Sequence, residues 1–112
     1  MKKIEAIIRP EKLDAVRSAL EKAGCSGLMI SEIEGHGKQK GVVQQWRGEK
    51  YKIELLPKIK IEVVVKDQEA ERVVKAVCDA AKTGEMGDGK IFIYSIENAV
   101  RIRTGDKGEA AI

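Results

Sequence analysis

Apolar and polar residues alternate from the start of the chain. Ile4, Ala6 and Ile8 are interleaved with Lys3, Glu5 and Arg9, the period-two pattern of a strand with one face buried. Pro10 ends that run and suits the first turn of a helix. Leu13, Val16, Leu20 and Ala23 then recur at helical spacing, and Gly24 supplies a C-terminal stop. Leu28 to Glu34 returns to strand composition. The clearest strand is 58–66, Lys-Ile-Lys-Ile-Glu-Val-Val-Val-Lys, with Ile59, Ile61, Val63 and Val65 on one face. Asp67 is placed to cap a second helix, whose buried side uses Ala70, Val73, Val74, Val77 and Ala81. Ile91 to Ile96 makes a fourth strand, followed by a short segment around Ala99 and Val100 and a polar tail.

The order strand, helix, strand, strand, helix, strand predicts an α+β, ferredoxin-like βαββαβ fold, an antiparallel sheet with both helices on one face. The opposite face is then left with Ile7, Lys60, Glu62 and Val64. Such a mixed face suits either solvent or self-association. The connection between the second and third strands stands out: Gly35 to Pro57 spans roughly twenty residues, whereas structureless loops above about 15 are uncommon unless functional or disordered. A tolerated surface insertion would explain the length but not Trp46, since an indole on a loop is a typical contact anchor.

At 112 residues and 43% apolar content the chain fits one domain, 1–112, with a core that needs no disulfide or metal. Its net charge of +3 lies entirely in the long connection, where Lys38, Lys40, Arg47, Lys50 and Lys52 face only Glu49 and Glu54. An anionic or polar partner is expected there. No signal peptide precedes Met1-Lys2-Lys3 and no apolar run reaches membrane-spanning length, so a cytoplasmic protein is expected. Cys25 and Cys78 make no CxxC motif and His36 is the single histidine, so the thiols read as reduced packing residues rather than zinc ligands.

Candidate chemistry centres on Thr83-Gly84-Glu85-Met86-Gly87-Asp88-Gly89-Lys90, which runs directly into the last strand. Gly87 and Gly89 can take backbone angles closed to other residues, letting successive N–H groups curl around an anion, with Lys90 adding a full charge. Lys38 at the loop base, and Arg101 with Arg103, could serve the same polyphosphate. Two arginines two apart on an extended segment point the same way and can act as a clamp. Surface ion pairs are the alternative use of these arginines. No serine has a neighbouring histidine and no Walker motif is present, which disfavours catalysis. An RNA-binding sheet would need stacking aromatics on central strands, whereas Phe92 and Tyr94 lie on an edge without the accompanying motif.

Taken together these residues resemble one family, the PII nitrogen-regulatory signal-transduction proteins of the GlnB/GlnK type. The likeness runs from Met1-Lys2-Lys3-Ile4-Glu5-Ala6-Ile7-Ile8-Arg9-Pro10 to Glu109-Ala110-Ala111-Ile112, and includes Thr83 to Ile96 and Arg101-Ile102-Arg103-Thr104-Gly105. It implies a non-enzymatic homotrimer whose sheets face the threefold axis, with three ATP or ADP sites in the clefts between subunits. It also divides the chain into a T-loop at about 36–56, a B-loop at about 83–90 and a C-terminal segment at about 98–112.

By the same resemblance, Gly87, Asp88, Gly89 and Lys90 bind phosphates, with Arg101 and Arg103 reaching in from the neighbouring subunit. Ile7, Glu62 and Val64 lie around the adenine and ribose, and Gly37, Lys38 and Gln39 complete the nucleotide set. Position 29 is often threonine in relatives; Met29 lacks the hydroxyl, so a base contact is lost or replaced by packing. The loop base, Gly37, Lys38, Gln39, Lys40 and Gly41, is similar to the family's 2-oxoglutarate site, with Lys58 pairing the distal carboxylate. There the Gln39 amide oxygen, ATP phosphates and 2-oxoglutarate would share one octahedral Mg²⁺. Partners would be met by Trp46, Arg47 and Tyr51, Arg47 matching the residue that plugs an ammonium transporter in GlnK-type members. Glutamine synthetase or another regulatory enzyme is the alternative target, and nucleic acid is not expected. Tyr51 aligns with the tyrosine uridylylated in many bacterial members, but Trp46, Glu49 and Lys50 depart from the run that accompanies that modification.

Overall fold

The computed structural model describes residues 1–35, 43–46, 49–52 and 56–112, the two short central stretches through their backbone. His36, Gly37, Lys38, Gln39, Lys40, Gly41 and Arg47 lie outside the described residues. Strand β1 (Lys2–Ile8) leads through a single 3₁₀ turn at Pro10–Lys12 into α1 (Leu13–Lys22), with Pro10 at the turn's first position as expected. Strands β2 (Met29–Gly35), β3 (Val43–Trp46), β4 (Glu49–Lys52) and β5 (Leu56–Val65) follow, then α2 (Ala70–Ala81) and β6 (Gly89–Ser95).

Four strands form one antiparallel sheet in the order β2-β5-β1-β6, the ferredoxin-like arrangement expected from the element order. The register of β1 on β5 places Ile4 opposite Val63, Ala6 opposite Ile61 and Ile8 opposite Ile59. All six side chains are buried, and they meet Val16 and Leu20 of α1 and Val73 and Val77 of α2 in one cluster. Burial of that cluster is the main stabilising term, and it contains no polar or charged residue.

Helix ends follow local chemistry, with one exception. Gly24, at φ +87°, ends α1: its N–H reaches Glu21 and the Cys25 N–H reaches Leu20, a Schellman pattern that satisfies otherwise orphaned carbonyls. Asp67 does not cap α2 as expected. A 3₁₀ turn, Asp67–Glu69, intervenes, and its carboxylate instead lies 2.8 Å from the N-terminal amine of Met1. A full positive charge at that distance competes successfully with backbone N–H donors.

The long connection is also not wholly irregular, as its composition suggested. β3 and β4 pair as a hairpin, with Trp46 opposite Glu49 and Gln44 opposite Tyr51. Neighbouring β5 starts at Leu56, two residues earlier than expected, and runs through Pro57. A proline is tolerated there because β5 has outrun β1, whose last pair is Ile8 with Ile59, leaving only β2 beside it.

Leu20 is 1% exposed beneath the sheet. Replacing it by alanine is expected to cost about 2–5 kcal/mol, through lost transfer energy and the cavity left behind. Urea denaturation at fixed protein concentration measures this; a loss below about 1 kcal/mol would contradict the packing of α1 described above.

Candidate functional site

Alternation along the two central strands leaves the sheet's second face uncovered by helices. Lys3, Glu5 and Ile7 of β1, Lys58, Lys60, Glu62 and Val64 of β5, and Lys90, Phe92 and Tyr94 of β6 share that face by register. Its middle is a web of paired charges: Lys3 lies 3.3 Å from Glu62, and Lys60 stands near both Glu62 and Glu5. Tyr94 donates its hydroxyl to Glu5 at 2.9 Å, while the Lys3 ammonium sits 4.4 Å from its ring centroid. That hydrogen bond, then partial desolvation, raises the Tyr94 pKa. Between these pairs Met29, Phe92 and Tyr94 remain about half exposed. The face is therefore the mixed surface that Ile7, Lys60, Glu62 and Val64 predicted.

One end of this face is strongly basic. Lys60 and Lys90 flank Ile7 from the two neighbouring strands, and Lys58 and Arg9 stand one step further along. Arg9 continues the alternation of Lys3, Glu5 and Ile7 past the end of β1. Partial burial, and next the Arg9 guanidinium, lower the Lys58 pKa. Cations gathered at such spacing repel one another and so favour an anionic guest.

The glycine turn closes over this end. Gly84, Gly87 and Gly89 all have positive φ, at +90°, +97° and +103°. A Cβ at position 89 would stand 1.7 Å from the Ile7 carbonyl oxygen, so only glycine lets the turn lie on β1. Side chains then hold the loop from inside. Both Asp88 carboxylate oxygens accept hydrogen bonds, one from the Arg9 Nε at 3.0 Å and from the Thr83 hydroxyl, the other from the Thr83 and Gly84 N–H groups at 2.9 Å. These bonds, the Thr83 hydroxyl foremost, hold its carboxyl far below the usual carboxylate range. Arg9 also donates to the Met86 carbonyl at 2.7 Å, and Lys58 to the Gly87 carbonyl at 2.7 Å.

Placement of the expected residues is thus uneven. Ile7, Lys58 and the 87–90 turn come together at one end of the open face; Glu62, with Met29 opposite it on the edge strand, lies mid-face beside Glu5, and Val64 lies toward the other end, opposite Lys3. Arg101 and Arg103 do not join them within one chain. They follow β6, a seven-residue strand whose far end at Ser95 is roughly 20 Å from Gly89. Nor is their segment extended as expected. The Gly105 N–H reaches the Arg101 carbonyl at 2.7 Å, Val100 pairs with Lys107, and the Arg101 side chain bonds Asp106 and the Ala110 carbonyl. Gly105, at φ +76°, permits that tight reversal.

Arg9 and Thr83 were missed as site residues. Parity with Ile7 was the available signal for Arg9; nothing in the spacing of Thr83 announces its bond to Asp88. Among the described residues no cluster of three His, Cys, Asp or Glu could hold a metal, and no helix is long and apolar enough to cross a membrane.

The geometry agrees with what the chain is similar to. A family model described as "Nitrogen regulatory protein P-II" matches residues 1–106. "Nitrogen regulatory protein P-II 2" of Methanothermobacter thermautotrophicus is 52% identical over all of this chain and 97% of its own length. "Nitrogen regulatory protein P-II" of Rhodospirillum rubrum is 53% identical and that of Haemophilus influenzae 51%, each over the full length of both chains. With the ferredoxin-like sheet and the glycine turn in place, this match establishes that the chain belongs to the nitrogen regulatory protein P-II family, a family of regulators rather than enzymes.

Proposed function

We propose that the protein is a trimeric sensor of ATP, ADP and 2-oxoglutarate that regulates nitrogen assimilation, meeting an ammonium transporter through its T-loop. The observation that carries this reading is the turn only Gly89 can make, with Lys58 and Lys90 beside it at one end of the open face. Lysines beside concave backbone make a site for a phosphate chain. The turn and the tail arginines lie at opposite ends of the same sheet, so a nucleotide held by both needs two chains. The half-exposed apolar residues among paired charges on the open face give those chains a surface to share.

In this reading the triphosphate lies along the 87–90 turn with Lys90 charge-paired to it, and the ribose and base extend along the face past Ile7 and Glu62 toward Val64. Arg101 and Arg103 come from the adjacent subunit, and Met29 packs where a hydroxyl would otherwise bind the base. Gln39 would help to hold Mg²⁺ together with ATP and 2-oxoglutarate, and the metal would supply the charge that makes effector binding depend on the γ-phosphate. ATP and 2-oxoglutarate then raise each other's affinity by the same factor. Lys58 serves the distal carboxylate of the effector, and Gly37, Lys38, Lys40 and Gly41 supply the remaining loop contacts. The T-loop, with Trp46, Arg47 and Tyr51, changes its conformation with the site's occupancy. A guanidinium at position 47 suits a pore lined with carbonyls or carboxylates.

Calorimetric titration tests the sensor. Unaltered protein should bind ADP alone and 2-oxoglutarate only with Mg-ATP, and Gln39→Ala should lose 2-oxoglutarate binding while keeping ADP affinity within about threefold, because the main part of Gln39 would be played through a metal shared with the γ-phosphate that ADP lacks. Unchanged 2-oxoglutarate affinity in that variant would overturn the metal assignment. Arg47→Ala should weaken co-sedimentation with transporter-containing membranes by about tenfold or more, as expected for a desolvated arginine anchor. Equal co-sedimentation of the two proteins would remove Arg47 from the contact.

A further inference from the structure

We infer that Thr83 and Arg9 are positioning residues for the phosphate-binding turn: they hold the Asp88 carboxylate inward and so keep the turn ready for an anion. This deepens the nucleotide reading above and rests on it. An acid in the middle of a phosphate cradle is at first sight an obstacle, since its charge repels the guest. Asp88 removes that obstacle only because all of its accepting capacity is engaged elsewhere. One oxygen takes the Arg9 Nε and the Thr83 hydroxyl, the other the Thr83 and Gly84 amides. The guanidinium also balances the charge.

The same contacts shape the backbone. Arg9 draws the Met86 carbonyl to itself at 2.7 Å, which fixes the direction of that oxygen. The Thr83 oxygen both donates to Asp88 and accepts the Glu85 N–H at 3.1 Å, so one hydroxyl ties two points of the turn. The amides of Met86 and Gly87 are not among those the carboxylate accepts. Neither role requires Thr83 to touch the nucleotide. Valine copies its shape without the hydroxyl, whereas serine keeps the hydroxyl without the methyl group.

Calorimetric titration with ADP separates these possibilities. Thr83→Val should bind ADP roughly tenfold more weakly, and Thr83→Ser within about twofold of the unaltered protein, because only the former loses a hydrogen bond to a charged group. In an Asp88→Ala background, adding Thr83→Val should cause a much smaller further loss, only that of the Glu85 bond, since residues acting through one another are not additive. Position 83 is exposed, so unliganded thermal midpoints of both single variants at this position should stay within about 2 °C of the unaltered protein. Arg9→Gln should also weaken ADP binding by roughly tenfold, with that loss likewise largely absent in the Asp88→Ala background. Equal ADP affinity of Thr83→Val and the unaltered protein, or full additivity with Asp88→Ala, would overturn the inference while leaving the nucleotide site standing. Failure of the unaltered protein to bind ADP would instead overturn the nucleotide reading, and this inference with it.

Discussion

Register between β1 and β5 is the constraint on which the rest depends. Because side chains alternate strictly along a strand, the pairing of Ile4 with Val63 and Ala6 with Ile61 sends every apolar partner toward the helices at once. The same pairing sends Ile7, Lys58, Lys60 and Glu62 to the other face. A slip by one residue would bury a lysine under α2 and expose the isoleucines. Core and site are thus two consequences of one alignment, and the strong demand for burial on one side fixes the geometry of charges on the other.

That dependence extends to the turn. Gly89 is the residue of β6 that pairs with Ile8, so the turn's position follows from the sheet's register rather than from the loop's own preferences. Close approach to the Ile7 carbonyl excludes any side chain at 89, and the Asp88 bonds then close the loop from Thr83. A six-residue segment with several glycines would otherwise sample many backbone states, since each glycine adds conformational freedom. Contacts from Arg9 on β1's end and Lys58 on β5 limit that freedom using the two strands whose register is most firmly set.

Much of this was legible in sequence because the signals were periodic. The core faces of both helices and the central strands emerged from spacing alone, as did the glycine stop at position 24. What escaped was decided by partners distant in sequence. Asp67 has the chemistry of a helix cap, but the Met1 amine, 66 positions away, takes its carboxylate. Arg9 reads as the last polar residue of an alternating strand, and only the fold brings it to Asp88, 79 positions on. Arg101 and Arg103 suggested an extended clamp because two-residue spacing fits a strand, yet Gly105 and the Asp106 pairing fold the segment into a turn. The β3–β4 hairpin was missed because its strands carry lysine, glutamine and glutamate, residues without a one-sided apolar pattern.

Lys58 stands between the proposed ligand site and the root of the long connection, the arm of the proposed sensor. It lies opposite Ile33, two pairs from the Gly35–Leu56 pair where β2 and β5 give way to the long connection. Its ammonium reaches the Gly87 carbonyl in the glycine turn. One side chain therefore joins the root of the arm to the loop that would carry the phosphates. Burial and the Arg9 charge both lower its pKa, so an anion arriving nearby would be welcomed electrostatically and would also compete for the same donor. On the proposed reading, a guest that draws the Lys58 ammonium from Gly87 would untie the turn from β5. Coupling between arm and turn then needs no long relay, only one cation with two alternative partners on a rigid strand.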